Sequence, residues 1–229
     1  MKKKIFIVAL VVCIMAISIA SASMAYFTDT EKATNTFTSG EVAIEMTEAA
    51  VKADALGHLV EDTVPARKAA SEIGETFDYG TIFPMQTIYK DPTVENTGSE
   101  DAYLAAKIVI TNGADTLTTA LKDEDAVKAF ITGEADTAIA DAANKVVVTQ
   151  VGNDWVVYIL CTDKLAANAG KVVLFDNVNI DANWGNAQMA VLKNLKVEVK
   201  AYATQVKGFD DAKTAIQTAF ATDFGTIFN

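Results

Sequence analysis

Residues Lys145–Cys161 read KVVVTQVGNDWVVYILC, and the fold class turns on this stretch. Two runs of β-branched, apolar and aromatic residues, Val146–Val151 and Trp155–Cys161, flank Gly152-Asn153-Asp154. β-Branched and aromatic side chains suit a pleated surface, and Gly and Asn supply the positive-φ positions of a tight hairpin turn. The stretch therefore predicts a β-hairpin. Outward from it the same signals recur. LAANAGKVVLFDNVNIDANW (165–184) predicts a turn at Asn168-Ala169-Gly170 and a strand over Lys171–Ile180. LKNLKVEVKAYA (192–203) alternates, with Leu195, Val197, Val199 and Ala201 facing one way. Upstream, IYKDPTVENTGSEDAYLAAKIVI (88–110) predicts a strand, a turn at Asn96-Thr97-Gly98-Ser99 and a second strand over Ala102–Thr111. Glu41–Met46 carries apolar residues at every second position, the period of a strand with one buried face.

Three segments depart from this pattern. Glu48–Gly74 is rich in Ala, Glu and Lys, with Val51, Leu56, Leu59 and Val60 at roughly helical spacing and a break at Pro65, which predicts short helices or a mobile insertion. Leu117–Asp141 predicts an amphipathic helix ending near Gly133, with Asp123-Glu124-Asp125 favouring its N-terminus. Phe209–Phe224 predicts a second amphipathic helix. The sequence thus predicts an all-β dominated fold: a sandwich of about eight strands over residues 40–208, helical insertions near 48–74 and 117–141, and a C-terminal helix and tail over 209–229. Phe77–Phe83 (FDYGTIF) is echoed by Thr222–Phe228 (TDFGTIF), a second short strand candidate for pairing with an exposed edge.

The N-terminus has the layout of a secretory signal peptide over residues 1–25. Lys2, Lys3 and Lys4 form a positive region, Ile5–Ala20 an apolar run, and Ser21–Ala25 a small-residue stretch. Cleavage is placed after Ala25, making Tyr26 the new N-terminus, with a cut after Tyr26 as the alternative. The 16-residue apolar run falls short of the roughly 20 residues that span a bilayer, so no stable span is expected after processing. A lipobox reading at Cys13 fails because Val12 is too bulky for the position before the cysteine. Loss of the three lysines takes the formal charge from −11 to −14, a balance that repels nucleic acid and anionic lipid and keeps subunits apart. Cys161 is then the sole cysteine, so no internal disulfide forms. It reads as a buried small hydrophobe or a reactive thiol.

Residues 26–39 form a Thr-rich arm, YFTDTEKATNTFTS, whose Thr, Tyr and Phe residues favour an extended strand. The AYFTDTE junction, the NTFTSGEV that follows, WVVYILCTDKLAANAGKVVLFDNVNI and VEVKAYATQVKGFDDAKTAI together resemble the secreted, biofilm-associated TasA and camelysin family of Gram-positive bacteria. Ala-Asn-Ala-Gly (167–170) stands where that family more often has Pro-Gly, which alters the turn only. The resemblance implies processing by a SipW-type signal peptidase, a jelly-roll sandwich, and an extracellular fibre subunit at the cell surface or in the biofilm matrix. In such fibres the arm of one subunit completes the sheet of the next, a donor-strand arrangement in which backbone groups pair with an open edge and alternate side chains fill a groove. Phe27, Thr36 and Phe37 are the arm residues expected to carry that contact, with other copies of the chain as partners. A monomeric surface adhesin or binding sandwich is the alternative.

Camelysin has also been described as a metallopeptidase, but no HExxH occurs and a single histidine cannot supply a His-rich zinc site. His58, near Glu61 and Asp62, reads as a surface residue or a weak metal ligand. The acids of 123–125 lack the spacing and central Gly of a calcium loop. Trp155 and Trp184 read as core or loop anchors, or as a carbohydrate-stacking pair. With no GxSxG, P-loop or CxxC, no catalytic residue, cofactor or metal site is expected.

Overall fold

The 145–161 stretch folds as a hairpin in the computed structural model, which describes residues 40–69, 81–113 and 117–229. The positions Ala25, Tyr26, Phe27, Thr36 and Phe37 lie outside the described residues, as does the segment 1–25 expected to be a signal peptide. The chain divides after Ser39, and every described element belongs to the unit Gly40–Asn229.

The described residues of this unit carry β1 (Ile44–Glu48), β2 (Ala50–Ala53), β3 (Leu59–Asp62), β4 (Lys68–Ala69), β5 (Thr87–Tyr89), β6 (Thr93–Asn96), β7 (Ala102–Thr111), β8 (Ile131–Thr132), β9 (Lys145–Val151), β10 (Asp154–Leu160), β11 (Lys171–Val173), β12 (Asn177–Asn179) and β13 (Lys196–Gln205). Four helices join them: α1 (Glu124–Phe130), α2 (Asn186–Val191), α3 (Ala212–Ala219) and α4 (Ala221–Phe224). The strands make three sheets. The long sheet has the order β13-β7-β10-β9, and two shorter sheets have the orders β11-β6-β1-β4 and β2-β3-β5-β12-β8.

The long sheet is covered on both faces, which is why Trp155–Leu160 reads as an unbroken apolar run rather than an alternating one. Ile108, Ile110, Trp155, Val157 and Ile159 point into a core shared with Ile88 and Val94 of the shorter sheets and with Leu174, Phe175 and Val178. On the other face Ala105, Val156, Tyr158 and Leu160 pack under Ala212 and Ile216 of α3, Phe224 of α4, and Phe228. Lys107, in the middle of this second face, is satisfied by Asp223 of α4 at 2.8 Å. The turn of the hairpin is Gly152-Asn153, with Gly152 at φ 64°.

Two of the places where the chain passes between the shorter sheets lie side by side, at Ala49 between β1 and β2 and at Lys90–Pro92 between β5 and β6. Backbone groups freed at such a corner need partners. The Ala49 amide donates to Asp91 Oδ1 at 2.9 Å. Glu48 and Lys90, both nearly buried, pair with each other. Arg67 donates to Asp91 Oδ2, to the Asp91 carbonyl at 3.0 Å and to Thr93 Oγ1 at 2.7 Å, which holds β4 against β1.

Several expectations need correction. Residues 48–69 hold strands, not helices: β2 and β3 pair from Ala50↔Asp62 to Ala53↔Leu59, and Leu59 pairs with Ile88. Asp54 Oδ1 accepts from the Leu56 and His58 amides and Gly57 takes φ +86°, so local turn chemistry and sheet pairing override the helix propensity of Ala, Glu and Lys. β6 and β7 flank the expected turn but belong to different sheets; Asn96 Nδ2 donates to the Glu100 and Leu165 carbonyls and turns the chain from one layer to the other. The strand expected over Lys171–Ile180 is two strands in two sheets, parted by the fully buried Leu174 and Phe175. In 117–141 the α-helix is confined to Glu124–Phe130, capped by Asp123, whose side chain accepts from the Ala126 amide. The tail Thr226–Phe228 is a turn rather than an edge strand, and Phe228 stacks on Phe224 with ring centroids 5.8 Å apart. The described residues hold thirteen strands against an expectation of about eight.

Candidate functional site

The two sides of this layered arrangement are built differently. On one side α1 lies against β8, β9 and β12, and the amides of Ala138 and Ile139 donate to the carbonyls of Val173 and Leu174. That side is closed. The other side carries β13 at the rim of the long sheet and β4, β1 and β2 at the rims of the shorter ones.

β13 is ten residues long and pairs on its inner edge with β7 throughout, from Lys196↔Thr111 to Gln205↔Ala102. No strand among the described residues pairs with its outer edge. Its core-facing residues Val197, Val199, Ala201 and Ala203 are only half-buried, whereas their partners on β7, Ile110, Ile108, Ala106 and Leu104, are at most 1% exposed. Across the core, Ile44 and Met46 of β1 and Leu59 of β3 are half-buried too. Among the described residues β4 pairs with Thr47 and Glu48 of β1. Among the described residues the open side is thus an edge with no strand beside it, bordering an apolar seam, the feature that lets an edge accept another strand. Lys196, Glu198 and Lys200 point outward along β13, the charged decoration that guards a long edge against unspecific pairing.

The two ends of this side are distinct. Gly40–Glu41, where the arm joins, lies beside the β6–β7 connection: the Glu41 amide donates to Ser99 Oγ at 3.1 Å and the Glu100 amide to the Glu41 carbonyl at 3.2 Å. The Gln205 end of β13 is there, with Lys207 paired to Glu100 at 2.7 Å. The Lys196 end lies with Thr111 and Asn112, and Asn112 Nδ2 donates to the Val191 carbonyl at 2.6 Å.

Other singled-out residues have structural work. His58 Nδ1 accepts from the Thr87 amide at 2.9 Å and so ties the β2–β3 hairpin to β5. Among the described residues no group of three or more His, Cys, Asp or Glu could hold a metal ion, and no helix is long and apolar enough to cross a membrane. Cys161 is buried, and burial pushes its thiol up to about 12, which keeps it protonated and unreactive near neutral pH. Trp155 is buried with Nε1 donating to the Leu121 carbonyl at 2.8 Å, and the Trp184 ring lies against Phe130 at 6.2 Å, so both are anchors of the core. The expected arm residues Phe27, Thr36 and Phe37 and the expected cleavage residues Ala25 and Tyr26 lie outside the described residues. Sequence reading misses the open side itself, because no single residue marks an edge strand; the alternation of Lys196–Ala203 is its only trace. Compared with protein-family models, with curated proteins and with solved structures, the chain matches none.

Proposed function

We propose that this protein is a structural subunit of an extracellular fibre or matrix, exported, trimmed after Ala25, and assembled by addition of one subunit's N-terminal arm to the open side of the next. One observation carries the reading: the ten-residue outer edge of β13 has no strand on it among the described residues and borders half-buried Val197, Val199, Ala201 and Ala203. A strand laid there would satisfy the backbone groups of β13 and cover the seam down to Ile44, Met46 and Leu59. The arm, with Phe27, Thr36 and Phe37, has the residues for it. With that strand in place the layered sheets make a jelly-roll sandwich, in line with the resemblance to the TasA and camelysin family.

A contact between an arm at one end and an edge at the other is heterologous, and such contacts run on as a filament where the rotation between subunits does not close a ring. The net charge, −11 before trimming and −14 after it, opposes unspecific association of free subunits. The test is sedimentation and negative-stain microscopy of chain beginning at Tyr26 beside chain beginning at Gly40. Filaments from the first and monomers from the second are expected. Monomers from both would refute self-assembly and leave a monomeric adhesin in which the arm pairs with its own domain.

A further inference from the structure

The end of the open side remote from Gly40 carries an apolar cluster. Leu56, at the tip of the β2–β3 hairpin, is 76% exposed, Met85 69% and Phe83 39%. The Phe83 ring lies over Gly57, where an added Cβ would come within 2.7 Å of it. Phe83–Gln86 is a β-turn closed by the Gln86 amide on the Phe83 carbonyl at 3.2 Å, and Gln86 Nε2 donates in turn to the Gly57 carbonyl at 3.0 Å. The turn and the hairpin tip therefore form one surface. Met85 holds φ 70°, at the position of a Pro-X turn where Gly or Asn is ordinarily found. A long apolar side chain, out in water and in the left-handed region, contributes nothing evident to the fold, and such an outlier points to function.

This cluster sits with the Lys196 end of β13. Met85 donates its amide to the Ile180 carbonyl at 3.1 Å, and Ile180 leads through α2 to Val191, which accepts from Asn112 beside the Thr111↔Lys196 pair. β2 lies on the same side as β13, since both are the strands farthest from the side that α1 closes.

We infer that Leu56, Phe83 and Met85 form the joint between successive subunits and receive Phe37 of a second copy; the inference rests on the proposed assembly through the open side. An arm entering at the Gly40 end of its acceptor would place like ends together and close a two-fold pair, so a filament requires entry at the Lys196 end. Entering there, the arm runs antiparallel to β13. The ten residues of β13 span about 33 Å at ~3.3 Å per residue. The arm has 14 residues, 26–39, so pairing along the whole of β13 uses ten and leaves the four nearest Gly40, Thr36–Ser39. Phe37, three residues from Gly40, stays within roughly 10 Å of its own subunit. It is the arm's aromatic at the mouth of the acceptor, where the cluster lies, while Tyr26 and Phe27 travel to the far end of β13.

The test uses mixed populations of full trimmed chain: one carries Phe37→Cys or Phe27→Cys, the other Met85→Cys, and a short bismaleimide is added to the assembled material. Buried Cys161 is a poor competitor for the reagent. A linked dimer from the 37 and 85 pair, at least tenfold above the 27 and 85 pair, is expected. In addition Leu56→Glu with Met85→Glu should lower the pelleted fraction at least fivefold while leaving the melting temperature of the monomer in place. Filaments whose only link is between 27 and 85, or filaments unaffected by the two glutamates, would overturn the joint and leave assembly standing. Absence of filaments from the unmodified chain would refute the assembly reading and the joint with it.

Discussion

Phe224→Ala measures whether the C-terminal helices belong to the folded core. Phe224 is fully buried and touches three other rings: Tyr158 at 5.8 Å and Tyr202 at 4.9 Å edge-on, and Phe228 stacked at 5.8 Å. Truncating a fully buried Phe costs about 3–5 kcal/mol in transfer and cavity terms. The two edge-on pairs place the expectation toward the upper half, since each adds roughly 0.5–1.5 kcal/mol beyond burial. For a domain of this size a loss of that order lowers Tm by on the order of 10 °C. The assay is equilibrium urea denaturation followed by two signals. Trp155 and Trp184 sit in and against the inner core and report on the sheets, whereas near-ultraviolet dichroism includes Tyr158 and Tyr202 beneath the cap. In the parent chain the two transitions should coincide, and in Phe224→Ala both should move together to lower urea. A loss below about 1 kcal/mol would refute the placement of Phe224 in a close-packed second core. Early loss of the dichroic signal alone would show a cap that unfolds independently of the sheets.

Four further outcomes are expected. Asp223 is held below the usual carboxylate range chiefly by its hydrogen bond from Lys107, so the contribution of the pair is complete above the unfolded-state value near pH 4 and is lost as pH falls through the lower folded-state value. For a pair this exposed it amounts to at most about 1 kcal/mol, and Asp223→Asn should flatten the acid limb of a stability–pH profile by that amount. Cys161 should resist iodoacetamide at pH 8 in native chain and react fully in denaturant; ready labelling of folded protein would contradict its burial. Lys90→Met should cost about 3–5 kcal/mol by leaving Glu48 charged and poorly compensated, and Glu48→Leu in the same chain should recover most of it in chemical denaturation. Met85→Gly, at φ 70°, should leave stability unchanged or raise it by up to about 1 kcal/mol while weakening assembly, and a destabilised variant would count against strain at that turn.

Where sequence and structure agree, the deciding information is local. Gly152-Asn153 fixes a turn between two strand-forming runs, and the strands then have no nearer partner than each other, so the β9–β10 hairpin is legible. Asn96–Ser99 has equally good turn chemistry, yet β6 and β7 do not pair: a turn signal gives the change of direction, not the layer in which the chain continues. Residues 50–62 are opaque for a different reason. Ala, Glu and Lys carry a helical preference of a few tenths of a kcal/mol each, which pairing of Leu59 with Ile88 and the Asp54 turn readily outweigh. The break at Leu174–Asp176 is hidden because residues that cross a core between two sheets are as apolar as residues within a strand. The proposed assembly surface is least legible, since the exposure of Leu56 and Met85 and the outer edge of β13, which no strand among the described residues covers, arise only once distant strands are in place.

The polar corner at Glu48, Ala49, Lys90 and Asp91 has a further consequence, for fidelity. Along β1 and β6 the side chains alternate between core and solvent, so a slip of one residue would invert every face while keeping the same number of backbone hydrogen bonds. The hydrophobic pattern penalises that error gradually, one side chain at a time. The corner penalises it at once, because the Glu48 carboxylate, the Lys90 ammonium and the Ala49 amide find their partners in a single alignment and are left without them, away from water, in any other. A chain that pauses in the wrong alignment is thereby returned to the unfolded pool instead of being carried forward.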